Sequence, residues 1–133
     1  MSDRQETKQK IVGPVFSVVT PFREDDSIDF DSLEAYLRFA HLSGARNFYV
    51  MGYNSRFSEL SWEEIKQLNE FVAKSIKAMD NETVVIVADP LHCSTSVSID
   101  FALHAQDIGA DLISLIFREK YYSDKQVVTH YTE

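Results

Sequence analysis

Short apolar runs alternate with longer amphipathic segments along most of this chain. Runs rich in apolar and β-branched residues predict strands, and they lie at Val15–Val19, Phe48–Met51, Thr83–Ala88 and Leu112–Phe117. The third run, from Val84 to Val87, is apolar without alternation, which is typical of a strand covered on both faces. The pattern therefore predicts a parallel sheet.

Amphipathic helices are predicted between these strands. Apolar residues recur at helical spacing in three groups: Leu33, Tyr36, Leu37 and Ala40; Ile65, Leu68, Val72 and Ile76; and Ile99, Ala102 and Leu103. Helix starts are predicted at residues suited to capping: Asp29 or Asp31, Ser61, Ser94 or Thr95, and Ser123. Gly44 and Gly109 are expected to end helices, because a helix often ends in a residue with positive φ.

The polar and charged residues 1–10 are predicted to be a disordered lead, and residues 11–133 to form one α/β domain. Regular alternation of strand and helix predicts a parallel sheet with right-handed crossovers. Alternation alone fits both a closed barrel and an open doubly wound sheet.

Composition excludes several classes of partner. The formal net charge is −8 and no block of basic residues is present, which argues against nucleic acid or an anionic membrane as the main partner. The single cysteine, Cys93, permits no internal disulfide. No apolar run approaches the roughly 20 residues that span a bilayer. A soluble, cytoplasmic protein is predicted.

Six sequence features carry a resemblance to a known family. They are the opening Gly13 to Thr20-Pro21-Phe22; Ile28-Asp29-Phe30; Gly52, a polar loop and Leu60-Ser61-x-Glu63-Glu64; Ser94-Thr95; Gly109-Ala110-Asp111; and Tyr121-Tyr122. In these features the chain resembles the dihydrodipicolinate synthase and N-acetylneuraminate lyase family. The resemblance implies a (β/α)₈ barrel, of which residues 11–133 are the first four βα units, with the fourth helix only begun.

The resemblance also implies a chemistry. Such enzymes form a Schiff base between pyruvate, or a similar keto acid, and a lysine at the end of strand six, and a tyrosine at the end of strand five moves protons. Neither position falls within this chain, and Lys120 and Lys125 follow strand four instead. The chain alone is therefore expected to be inactive. A small keto acid is the predicted partner, and no cofactor or metal is predicted.

Two family positions do fall within the chain. Where the family has Gly-Thr-Thr-Gly-Glu after strand two, this sequence has Gly52-Tyr53-Asn54-Ser55-Arg56. The resemblance implies that Tyr53, Asn54 and Arg56 bind the substrate carboxylate; the alternative is a polar loop with a surface arginine. After strand four, Tyr122, or Tyr121 if the alignment shifts, matches a catalytic tyrosine of a proton relay. Its alternative is an aromatic pair that closes the loop.

Other interpretations remain open. A metal site at Asp89, His92 and Cys93 is disfavoured, because three ligands on one short loop rarely converge without a fourth partner. A receiver-like domain of flavodoxin fold would use Asp89 as phosphate acceptor. A relative that binds keto acids without catalysis is the third possibility, favoured by the altered loop after strand two.

Half of a barrel leaves unpaired edges. Four strands alone expose two edges and an apolar inner face. A chain that ends at Glu133 is expected to pair with a copy of itself to close an eight-stranded barrel, or else to bind poorly ordered partners, and a homo-oligomer is predicted. A longer natural chain would instead make these residues the N-terminal part of a lyase-like enzyme.

Overall fold

Four parallel strands form one sheet in the order β1–β2–β3–β4. The computed structural model describes residues 3–50, 56–91, 93–116 and 123–132. The strands are β1 (Phe16–Ser17), β2 (Asn47–Val50), β3 (Val84–Ala88) and β4 (Leu112–Ser114). The helices are α1 (Asp3–Lys10), α2 (Phe30–Leu42), α3 (Trp62–Met79), α4 (Thr95–Asp107) and α5 (Asp124–Thr132). The predicted parallel α/β architecture is confirmed.

The sheet order follows the chain order, so each helix from α2 to α4 connects neighbouring strands. A (β/α)₈ barrel is built in this way, whereas a flavodoxin-like sheet has the order 2-1-3-4-5. The strand order therefore favours the barrel over the receiver-like alternative.

The main core lies between one face of the sheet and the helices. Phe48 and Val85 are fully buried there. They pack with the apolar stripes of α2 and α3, which are buried as predicted: Leu33, Leu37, Ala40, Ile65, Leu68, Val72 and Ile76.

The other sheet face is open. Side chains alternate along a strand, and Ser17, Tyr49, Ile86 and Leu112 lie at one level across the four strands. Tyr49 and Ile86 are only partly buried, although their neighbours along each strand are buried. The set of strand residues that shares this side is called the open face here: Ser17, Asn47, Tyr49, Val84, Ile86, Ala88, Leu112 and Ser114, of which Asn47, Val84 and Ala88 are buried.

The first strand is shorter and more exposed than the predicted buried run Val15–Val19. Only Phe16–Ser17 form the strand. Val18 is fully buried, whereas Val15 and Val19 are 44% and 46% exposed. Within the described part of the chain, β1 lies at the edge of the sheet and pairs with β2 alone, so its outer side is uncovered.

Helix ends follow the local signals. Ser61 and Glu64 form the predicted capping box of α3, and Ser123 and Gln126 form that of α5. Asp29, and not Asp31, caps α2 by accepting from the Ser32 amide at 3.1 Å. Gly44 follows α2 with φ of 104°, where glycine avoids the steric cost of the left-handed region.

Two predictions are replaced by different structures. A helix, α1, stands in place of the predicted disordered lead over Asp3–Lys10; the segment has no apolar stripe, but Gln, Glu and Lys are good helix formers. The predicted stripe of α4 is wrong, since Ile99 and Leu103 are 42% and 58% exposed. The helix instead buries Ser98, Phe101 and Ala105, because it packs through the opposite side.

No helix in the described part of the chain is long and apolar enough to cross a membrane.

Candidate active site

The carboxyl ends of the four strands share one edge of the sheet, where barrels keep their chemistry. The loops that leave this edge contain every predicted site residue. Tyr53 and Asn54 lie outside the described residues, as do His92, Tyr121 and Tyr122. Arg56, Asp89 and Cys93 are described.

Arg56 begins a short 3₁₀ helix, Phe57–Glu59, in the loop after β2. Its backbone is left-handed, with φ of 54°, a conformation that costs energy for a residue with a side chain. The Arg56 Nη2 atom lies 2.7 Å from Glu59 Oε1. The guanidinium carbon also lies 5.7 Å from the centre of the Phe22 ring, in the loop after β1. The arginine thus stands between the first two βα loops, with its charge paired to a carboxylate.

The loop after β1 is well ordered by its own hydrogen bonds. Pro21 O accepts from the Asp29 amide at 2.9 Å, and Phe22 and Ile28 form an antiparallel bridge. The Asp25 carboxylate accepts from the Ser27 hydroxyl at 2.6 Å, and these bonds to Ser27 lower the pKa of Asp25. This internal bonding holds Phe22 in place beneath Arg56.

Asp89 is buried at the end of β3, only 4% exposed. Its Oδ2 atom accepts from Ser98 Oγ at 2.6 Å and from Cys93 Sγ at 3.5 Å. The carboxylate therefore ties the third βα loop to the first turns of α4. A buried carboxylate with this bonding is poorly placed to accept phosphate, so the receiver-like alternative gains no support from it.

Asp89 and Cys93 are the described members of the disfavoured metal cluster, and they lie 3.5 Å apart. Within the described residues, no three His, Cys, Asp or Glu side chains come together in a way that could hold a metal ion. His92, the third member of the predicted cluster, lies outside them.

Several polar residues near this edge were not predicted from the sequence. Tyr49 Oη donates to Ser114 Oγ at 3.0 Å across β3 on the open face. Asn69 Nδ2 donates to Ala88 O at 3.1 Å from the buried side of α3. The sequence carried only a weak signal for Tyr49 and Asn69, because a polar residue within an apolar pattern can lie on either face of a strand or helix.

A groove of about 690 Å³ lies elsewhere, between α2 and α3. Its lining includes Arg38, His41, Lys74 and Met79, from the C-terminal halves of both helices. Helices of βα units run antiparallel to their strands, so these halves lie towards the opposite end of the sheet. The groove is therefore separate from the predicted site.

Comparison with known proteins decides the family. Residues 10–132 match the sequence pattern of the Dihydrodipicolinate synthetase family. The chain belongs to this family. An uncharacterized DapA-like lyase of Pyrococcus abyssi (strain GE5 / Orsay) is 32% identical over 123 residues, which are 90% of this chain and 39% of the relative. The N-acetylneuraminate lyase of Pongo abelii is 32% identical over 111 residues, covering 82% of this chain and 33% of the relative.

Solved structures of family members share the fold. YagE, a prophage protein of the dihydrodipicolinic acid synthase family from E. coli K12, superposes with a TM-score of 0.81 at 23% identity. That superposition covers 92% of this chain and 40% of YagE, whose crystal structure is a complex with pyruvate. The predicted fold class, a partial (β/α)₈ barrel, is thereby confirmed. The chain spans about 39% of the length of its Pyrococcus abyssi relative.

Proposed function

We propose that this family member is the N-terminal half of a Schiff-base lyase that acts on pyruvate or a related keto acid. Family membership supports the proposal, together with relatives named as lyases and synthases. The observation that carries it is the position of Arg56, whose guanidinium lies at the carboxyl edge of the sheet between the loops after β1 and β2. A cation there suits the carboxylate of a keto acid.

Each predicted residue has a role in this proposal. Tyr53 and Asn54 donate hydrogen bonds to the keto acid carboxylate, and Arg56 supplies the positive charge. The Arg56 side chain is 55% exposed, so it can exchange its exposed partner Glu59 for a ligand. Tyr122 passes a proton. Imine formation turns the keto acid into an electron sink, which lets a carbon–carbon bond form or break.

The lysine that forms the imine lies outside this chain in the family's pattern. Residues 11–133 are therefore proposed to supply keto acid binding and not the lysine that forms the imine. A cytoplasmic location and a homo-oligomer remain predictions.

Ligand-detected NMR with pyruvate tests the binding role. We expect Arg56→Ala to weaken pyruvate binding about tenfold, as befits a charge-assisted hydrogen bond. Arg38→Ala is the matched control, because Arg38 is similarly exposed and pairs with Glu34 on α2. Equal binding by both variants, or no binding by the original chain, would contradict the proposed site.

Borohydride reduction in the presence of pyruvate tests the absence of catalysis. We expect the intact mass of the chain to stay at 15.3 kDa. A pyruvyl adduct would show that one of its own lysines forms the imine, contrary to the proposal.

A relative that only binds keto acids is the second candidate. The feature that favours it is the loop after β2, where Gly52-Tyr53-Asn54-Ser55-Arg56 stands in place of the family's Gly-Thr-Thr-Gly-Glu. Reconstitution with a lysine-bearing C-terminal half separates the two functions: only the lyase hypothesis expects turnover.

A further inference from the structure

Two hydroxyl groups meet on the open face near the carboxyl ends of the strands. Tyr49 of β2 donates its hydroxyl proton to Ser114 Oγ of β4 at 3.0 Å. Neighbouring strands lie about 4.8 Å apart, so the tyrosine side chain crosses β3 to reach its partner. Ser114 is in register with Ala88, the last residue of β3. The pair therefore lies at the same edge of the sheet as the loop that contains Arg56.

This pair departs from the usual content of a barrel interior. In the (β/α)₈ fold that the chain shares with its family, the open face lines the interior, where bulky branched apolar residues dominate. Ile86 and Leu112, which are paired in register one layer below Ser114, follow that pattern. A polar group in such surroundings costs free energy unless it is hydrogen-bonded. Two hydroxyls in place of apolar side chains therefore indicate a need for polar groups at this position.

The Ser114 hydroxyl has bonding capacity left for a ligand. A serine hydroxyl offers one proton and two acceptor lone pairs, and one lone pair here accepts from Tyr49. Within the described part of the chain, the Ser114 proton is donated to no partner. A ligand oxygen that accepts this proton would complete the bonding of the serine.

We propose that Tyr49 and Ser114 recognise a hydroxyl group on the carbon beside the keto group of the substrate, so that this family member prefers a hydroxylated keto acid. This role rests on the proposed function, in which Arg56 holds the carboxylate. The Ser114 hydroxyl donates to the substrate hydroxyl, and Tyr49 orients Ser114 for that bond. A substrate with a methyl group in place of the hydroxyl leaves the Ser114 proton unpaired, and a site built to bond a hydroxyl discriminates against such an analogue.

Two keto acids of nearly equal size give the first test. Hydroxypyruvate and α-ketobutyrate differ only in that a hydroxyl of the former stands where the latter has a methyl group. We expect the chain to bind hydroxypyruvate about tenfold more tightly in ligand-detected NMR, which corresponds to one hydrogen bond. Equal affinity for the two ligands would overturn the proposal.

Variants of the pair assign the preference to its two hydroxyls. Ser114→Ala should abolish the preference by weakening the binding of hydroxypyruvate alone, whereas Ser114→Thr, which keeps a hydroxyl, should retain it. Tyr49→Phe should lower the preference about threefold, because it removes the bond that orients Ser114. Ser17→Ala is the matched control and should leave the preference unchanged. Ser17 is also on the open face, but it lies in the layer of Tyr49 and Ile86, below that of Ser114.

Arg56→Ala separates this inference from the proposed keto acid site. It should weaken the binding of both ligands, because both carry the same carboxylate. Binding that depends on Arg56, with a preference that survives Ser114→Ala or an equal loss for both ligands in that variant, would refute the role of the pair and leave the keto acid site intact. Binding of neither ligand by the original chain would refute the proposed site and this inference together.

Discussion

Tyr36 on α2 donates its hydroxyl proton to the carbonyl oxygen of Ser17 on β1, at 3.1 Å. Among the described residues Ser17 belongs to an edge strand, so this side chain satisfies an acceptor that no other described strand reaches. Burial raises the pKa of the Tyr36 hydroxyl, as expected for a phenol held away from water.

Tyr36→Phe should lower the free energy of unfolding by about 1 kcal/mol, the net value of a typical hydrogen bond. Urea denaturation measures the change. Tyr131→Phe is the matched control, because its hydroxyl also donates to a backbone carbonyl, Leu115 O, at 3.2 Å, yet the side chain is 49% exposed. A loss as large in Tyr131→Phe would show that burial of the bond is unimportant.

The start of α3 offers a test of helix capping. Ser61 and Glu64 bond reciprocally in a capping box, and removal of such a cap costs about 1 kcal/mol. We expect Ser61→Ala to destabilise the chain by this amount in thermal or urea unfolding. Ser94→Ala should change stability less, because Ser94 Oγ accepts from no backbone amide of α4 and bonds to Ser96 Oγ at 2.9 Å instead. If the two variants lose the same stability, the reciprocal bonds of the capping box add nothing to the effect of a serine at the helix start.

Lys77 and Asp111 form a partly buried ion pair that joins α3 to the start of β4. Lys77 Nζ lies 2.7 Å from Asp111 Oδ2 and also donates to Thr83 O at 2.9 Å. Lys77→Met leaves the carboxylate without its cation, and we expect a loss of about 2 kcal/mol. Arg38→Met, which breaks the exposed pair with Glu34, should cost less than about 0.5 kcal/mol. Denaturant titration gives the loss of unfolding free energy for both variants. Equal losses would mean that burial of the ion pair does not increase its contribution.

His104 on α4 should make stability depend on pH. Its Nδ1 atom is buried without a hydrogen-bond partner among the described residues. Burial, and then the charge of Lys66, lower the pKa of His104 from 6.5. The unfolded chain therefore binds the proton more readily than the folded chain. Stability contributed by neutral His104 is present above pH 6.5 and is lost as pH falls below it.

Urea titrations at pH values on both sides of 6.5 measure this slope. His104→Gln should reduce it. The carboxylates with lowered pKa, such as Asp29 and Glu64, lose their contribution only below 3.8 and 4.5. These carboxylates therefore change the stability at a lower pH than His104 does. An unaltered slope in His104→Gln would assign the effect to another group.

Local sequence signals determined helices α2 to α5 and several of their ends. The apolar stripe of α3 is buried as predicted, and the capping box at Ser61 and the glycine after α2 lie where expected. These features depend on residues within a turn or two of each other, which is why the sequence alone reveals them. Alternation of strand and helix likewise indicated the parallel sheet, and the family resemblance indicated the barrel.

Tertiary structure decided which side of an element packs and which distant groups meet. Helix α4 carries apolar residues on opposite sides, Phe101 on one and Ile99 and Leu103 on the other, so periodicity could not choose between them. Packing against the sheet selected Phe101. The bond from Tyr49 to Ser114 joins residues 65 positions apart, and the carboxylate of Asp89 finds its partner on the following helix. Such contacts depend on how the strands align in space, and that alignment is a property of the whole sheet.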